Sequence, residues 1–436
     1  MRRFVVALMA CGLFAASGFG VTPDPKDLVI PPQELSRARE LVRKLGSELY
    51  REREDAYAEL VKMGRLARPV LLEAATSDAD PEVRFRTSRL LPKAGADDLA
   101  ARLETFLADK DGKFDHDLPG LKQYRTVVGK DEKARSLFVE FVKSPYNVEL
   151  LQSLDRGATE GGRAISDRRT HLFSMMQHRN IGGRISQPQQ IEFADLACLM
   201  FAESVTPSKE IPRGMWNHIT GATFLQQPAS MNTLNNANSA HSEAYRRIIG
   251  QWLESRDDAQ DLNQLAHLIG NQLRTFPQSL PLLRRIIVTE GVHGYAKGQA
   301  LMFLIQQRGK EEHGFLTSLL NNDTLVTTVW FGNINPKNQQ PQQHQCLLRD
   351  VALAMLVTQN GQKMKDYGYA FPNNQPEPNP QSIGYGNYAF TSDEARTAAL
   401  VKYGFWQLKR SFTEPVKEPV KEPAPQPPAP QPAPSK

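Results

Sequence analysis

The chain has 436 residues, is 40% hydrophobic and carries a formal net charge of +5, enough for two or more cores or one continuous array of helices. Acids and bases interleave along it, which argues against a dedicated nucleic-acid surface, where Lys and Arg would cluster. Past the N-terminus no segment approaches about 20 consecutive apolar residues, so no further membrane span is expected.

Residues 1–20 read as a signal peptide. Met1-Arg2-Arg3 is a basic start, residues 4–16 are apolar, and Gly18 or Gly20 offers a small-residue cleavage site. The expectation is export to the periplasm or cell surface. Two alternatives stand beside it: an uncleaved signal anchor, and a lipoprotein modified at Cys11 in Leu8-Met9-Ala10-Cys11. The apolar run continues past Cys11 to Phe14, which disfavours the second. A polar, Pro-containing linker follows over 21–33.

Residues 34–154 form an N-terminal helical domain. Leu35, Leu41, Val42 and Leu45 make one helical stripe, closed by Gly46; Leu49, Ala56, Tyr57, Leu60 and Val61 make the next, closed by Gly64. Residues 69–91 (PVLLEAATSDADPEVRFRTSRLL) read as two short helices broken at Asp80-Pro81, with Asp80 as N-cap and Pro81 at the first helical position. Val83, Thr87, Leu90 and Leu91 share a face of the second helix. Further stripes carry Leu99, Leu103, Phe106 and Leu107, then Ala134, Leu137, Phe138, Phe141 and Val142. Each buried member contributes roughly 1.5–3 kcal/mol. Helix pairs this thin need neighbours of their own kind, which predicts stacked repeats.

The Gly/Arg-rich stretch 155–190 predicts a long loop or domain boundary with one helix at 169–178. Helices are expected again at 189–204, 239–255 and 261–276, then a pair at 279–290 and 295–307 and a helix at 311–320, so 191–320 forms a second helical-repeat region. Residues 321–410 form a C-terminal region: a short strand or extended segment at 324–331, polar loops at 335–345 and 372–387, and helices at 346–358 and 394–407. Residues 411–436 are a disordered Pro-rich tail, acting as a spacer, a docking strand or a solvated end. Cys198 and Cys346 sit in apolar helical runs, which favours two buried thiols over one disulfide.

Reactive motifs are absent from this sequence: no H-E-x-x-H, paired C-x-x-C, P-loop or G-x-S-x-G. Asp109, Asp111, Asp115 and Asp117 invite calcium, but Lys113 and Phe114 occupy the fifth and sixth loop positions, where an EF-hand needs a ligand and Gly. His171 and His178 lack a third ligand. No catalytic residue, metal site or cofactor is expected. Candidate ligand contacts are Arg163, Arg168, Arg169 and Arg184, suited to an anion, and Tyr367 and Tyr385, suited to stacking on a sugar or peptide. For the aromatics, packing of loops on the last helices is the favoured reading.

Residues 41–91 resemble the HEAT-like repeat proteins that planctomycete bacteria export. Asp117-Leu118-Pro119-Gly120 with LFVEFV at 137–142, residues 348–369 and residues 394–403 resemble later parts of those proteins, in the same order. The resemblance implies an exported helical-repeat protein without an assigned reaction, and offers no catalytic residues to carry over. The fold expected is all-α: a HEAT-like α-solenoid of stacked helix pairs with long C-terminal loops and a disordered Pro-rich tail. The function expected is a non-catalytic scaffold or protein-binding module of the bacterial cell envelope. Its partner would be a protein or peptide, with no nucleic acid, and membrane contact only through the signal segment or a lipid anchor. The rival is an extracytoplasmic enzyme or a carbohydrate- or anion-binding protein with its site in the 155–190 or 332–390 loops.

Overall fold

The computed structural model describes residues 22–177, 180–181, 184–185, 190–213, 219–331, 342–370 and 388–413. Residues 1–21 with Cys11, Tyr385, most of the polar loop after residue 331, the 372–387 loop and the tail from 414 lie outside the described residues. The protein is mostly helical, with few strands. It divides into two compact units: one runs to Asp261 and takes in Phe276–Gln278, the other comprises Leu262–Thr275 and the chain from Ser279 onward. The division falls inside a helix.

In the first unit, α1 (Pro32–Lys44) pairs with α2 (Tyr50–Met63), and α3 (Arg68–Ser77) with α4 (Pro81–Ala108). α1 also packs on α3 and α2 on α4, so the two hairpins lie side by side. Val42, Leu45, Leu60, Leu71, Val83 and Leu90 fill the space between them. Asp80 caps α4 as expected, its Oδ1 accepting from the Glu82 amide at 2.8 Å. The two stripes expected after Pro81 belong to one 28-residue helix, α4, which continues through Pro92. Proline forfeits one ladder bond there, and the helix persists because its apolar face is packed on both sides of the break.

Next come α5 (Leu121–Val127), α6 (Glu132–Val142), α7 (Pro145–Asp155) and α8 (Ala158–Met176), a two-residue hairpin of β1 (Asn180–Ile181) and β2 (Arg184–Ile185), and α9 (Phe193–Val205). α10 (Gly221–Leu225), α11 (Pro228–Asn235) and α12 (Ser242–Glu254) complete this unit, and α13 (Ala259–Asn271) begins in it. Every residue of α9 from Leu196 to Ser204 is buried. A helix apolar all round needs neighbours all round, and α6, α7, α8, α10, α11 and α12 supply them. This part is a bundle about α9.

The stretch expected to be a loop is mostly α8, 19 residues long. Gly161 and Gly162, read from sequence as loop signals, sit within this helix because neighbours press on it. A Cβ at Gly162 would overlap the Glu210 carbonyl oxygen, and one at Gly161 would lie 2.9 Å from Leu154 Cδ2. Here glycine admits close approach, not a turn.

The second unit pairs α14 (Ser279–Val288) with α15 (Gly294–Arg308), and α16 (His313–Ser318) with α17 (Leu348–Gln359); α15 also packs on α17. Between the latter two, β3 (Leu325–Phe331) and β4 (Gln342–Leu347) form an antiparallel hairpin, with Thr328 opposite Gln345 and Val329 opposite His344. The strand expected at 324–331 is β3. β4 was expected to be loop up to Gln345 and helix from Cys346: QQHQCL has little strand propensity of its own and is extended by pairing, which delays the helix start to Leu348. Cys346 in β4 and Cys198 in α9 are both buried and free. The last helix, α18 (Asp393–Thr413), is tied to the body by Arg396, whose Nε donates to Asp350 Oδ1 at 2.8 Å and whose Nη2 donates to the Gln345 carbonyl. Tyr369, Tyr388 and Phe390 are buried beneath it, Tyr369 and Phe390 with ring centroids 4.3 Å apart.

Candidate functional site

α8 lies against α9 and directs two arginines at it. Arg168, 6% exposed, forms an ion pair with Asp195 at 2.7 Å and lies 5.2 Å from the centroid of the Tyr146 ring. Arg169 Nε donates to Glu203 Oε1 at 2.7 Å. Glu203 has no exposed surface and its other oxygen accepts from Trp252 Nε1 at 2.9 Å. Arg256, equally buried, donates to the Glu203 carbonyl at 2.7 Å and to Asp261 Oδ2 at 3.2 Å. Gly221, at the start of α10, gives this carboxylate room, since a Cβ there would overlap Glu203 Oε2.

The two carboxylates respond oppositely to burial. Desolvation alone would push both upward in pKa. In Glu203 it is outweighed by the charges of Arg169 and Arg256 and by the bonds from Arg169 and Trp252, which hold the group below the usual glutamate value. In Asp261 burial prevails over the pull of Arg256, and the charge of Glu203 adds to it, so this carboxyl is raised.

Beside the network is a cavity of about 50 Å³, lined among others by Ser166, Arg169, Thr220, Asp258 and Asp261. That is room for a few waters, whereas substrate pockets begin near 300 Å³. Another of its lining residues, Arg213, is paired with Asp258 at 2.9 Å. The charged groups are thus joined to one another. What the arrangement does physically is pin α8, α9, α12 and the start of α13 together.

The structure does not gather the predicted contacts into one site. Arg163 is exposed, pairs with Glu160 on its own helix at 3.4 Å, and shares with Arg168 a groove of about 300 Å³ along α7 and α8. Tyr146 and His171 also line that groove, their rings 5.4 Å apart. Arg169 faces the separate small cavity. Arg184 contributes backbone to β2, and its side chain lies outside the described residues, as does Tyr385. Tyr367 is buried in the other unit, its hydroxyl bonded to Gln362 and its ring under Lys402 Nζ at 4.9 Å. Arg163, Arg168 and Arg169 therefore stand on a helix, not on a loop free to close over an anion.

The aspartate cluster serves a turn. Asp109 accepts from the Lys113 and Phe114 amides and pairs with His116 Nε2 at 2.9 Å, while Asp115 and Asp117 meet Arg125 and Arg102. Among the described residues no three His, Cys, Asp or Glu side chains are grouped to hold a metal ion. Sequence reasoning missed Glu203, Trp252, Arg256 and Asp261. One signal was available: Glu203 is a carboxylate within the apolar run ADLACLMFAES, where an acid demands partners. No family model, curated protein or solved structure matches this chain.

Proposed function

We infer that the chain is an exported, non-catalytic scaffold of the HEAT-like helical-repeat kind that holds a protein or peptide in the bacterial cell envelope. The observation that carries this reading is the side-by-side placement of the α1–α2 and α3–α4 hairpins, first helix on first and second on second, the arrangement by which repeat arrays propagate. The pairing of α14 with α15 and α16 with α17 is in keeping with it. Large apolar side chains, Leu72 on α3 and Phe85 on α4 among them, are exposed on outer helix surfaces and so are open to a protein contact. The buried titratable groups of the α8–α9 region, in contrast, neutralise one another and leave little room for a substrate. Export rests on the N-terminal pattern of the sequence.

Affinity capture from envelope extracts with the full-length protein as bait tests the reading. The expected result is a defined protein partner that is lost with Phe85→Asp. Binding of a sugar or small anion in the Arg163 groove, abolished by Arg163→Ala, with no protein captured, would establish the rival instead; Tyr146 and His171 beside Arg163 are what favour it.

A further inference from the structure

α18 is anchored by one face only. Ala399 and Tyr403 are buried against the unit, and Arg396 is locked to Asp350. On the opposite face Val401, Phe405 and Leu408 are 52%, 69% and 55% exposed. Ala398, also exposed, precedes Val401 by three residues, so the outward residues recur at steps of three, four and three, and Phe412 continues the sequence pattern by four. That alternation is the seam of a helix–helix interface, where side chains of one helix enter the gaps of another. A lone exposed Leu is ordinary, whereas a ribbon in register along three turns is not.

The borders of the ribbon differ. One edge carries Lys402 and Lys409. Lys402 is fixed in place, donating to the Asp366 carbonyl at 2.6 Å while its ammonium lies over the Tyr367 ring. The other edge carries Thr397 and Gly404, small and uncharged; a Cβ on Gly404 would meet nothing within 4 Å. We propose that the outward face of α18 is a docking strip for an amphipathic helix of another protein whose apolar stripe is bordered by acidic residues. Its apolar stripe lies on Val401, Phe405 and Leu408, its acids face Lys402 and Lys409, and its backbone approaches closely along the Gly404 edge.

Charge and geometry disfavour the other occupants. A second copy packed antiparallel about Phe405 sets Lys402 opposite Lys409, a like-charge pair. In the chain's own tail, Pro415, Pro419 and Pro423 recur every four residues, while a polyproline helix turns every three, so they spiral off any one face. A membrane surface takes a broad apolar face, and here Thr397 borders the ribbon on one side and Lys402 and Lys409 on the other. The proposal names the partner chemistry of the scaffold and rests on that reading.

The test titrates full-length protein with two labelled three-heptad peptides, Leu at both seam positions, one with Glu and one with Lys on the borders. The Glu peptide should bind, more weakly as salt rises; the Lys peptide should not. Lys409→Glu should weaken the Glu peptide by about tenfold, and Phe405→Asp should abolish its binding, the latter without lowering the melting temperature. Equal binding of the two peptides, no binding, or binding indifferent to Phe405→Asp overturns the strip. So does a dimer that Phe405→Asp dissociates, co-sedimentation with anionic phosphatidylserine vesicles lost in that variant, or Glu-peptide binding that appears only after deletion of 414–436. An envelope partner still captured by Phe405→Asp would sink the strip and leave the scaffold standing. Capture of nothing would sink the scaffold, and the titration would then still decide the strip.

Discussion

At the residue scale the chain invests most in Glu203, a carboxylate with no exposed surface held by two guanidinium groups and an indole. Removing one member of a buried ion pair strands the others, so Glu203→Ala should cost about 3–5 kcal/mol, read as a lower urea midpoint. The pH dependence follows from the direction of each shift. Glu203 is lowered on folding, so its contribution is complete above the unfolded value near 4.3 and is lost as pH falls through the folded value. Asp261 is raised, so the folded state takes up its proton first and gains stability as pH falls from neutral through that raised value. Urea midpoints measured from pH 7 downward should therefore show wild type gaining on Asp261→Asn; parallel curves would mean that Asp261 titrates normally.

At the element scale, caps and close approaches decide which local preferences survive. Asp80→Ala should destabilise by about 0.5–2 kcal/mol, because the Glu82 amide loses its acceptor at the start of α4. Two helical glycines make a sharper pair. Alanine is the better helix former by about 1 kcal/mol, so Gly95→Ala in α4, with nothing within 4 Å of the new methyl, should raise the melting temperature. Gly162→Ala in α8 has the same propensity gain but drives its methyl into the Glu210 carbonyl, and should lower it. If the two moved together, propensity and not packing would govern α8. This contrast also explains why the first part of α8, residues 158–168, was read as a loop. Two adjacent glycines with nearby arginines carry the local marks of irregular chain, and only the neighbour pressing on Gly162 shows what they are for.

At the scale of the whole molecule, two units are built on one device. Each places helices buried round most of their circumference, α9 in one and α15 and α17 in the other, against amphipathic ones. If the protein is exported as residues 1–20 imply, intact mass of material recovered from the native envelope should correspond to a chain beginning at residue 19 or 21. A chain starting at Met1, or at a lipidated Cys11, would show the signal anchor or the lipoprotein instead. What the sequence determined by itself is the helical class, the stripes of α1 to α4 save Leu49 and Leu107, which are exposed, those of α14 and α15, the Asp80 cap and the extended backbone of β3. Each is written in residues a few positions apart, where periodicity and capping act. Only the tertiary structure decided that residues 158–168 join the helix expected from 169, that QQHQCL is a strand, and that Arg169 meets Glu203. Glu203 lies 34 residues from Arg169, 49 from Trp252 and 53 from Arg256. Ion-pair partners so distant leave no periodic trace, because their meeting depends on which helices the apolar faces bring together.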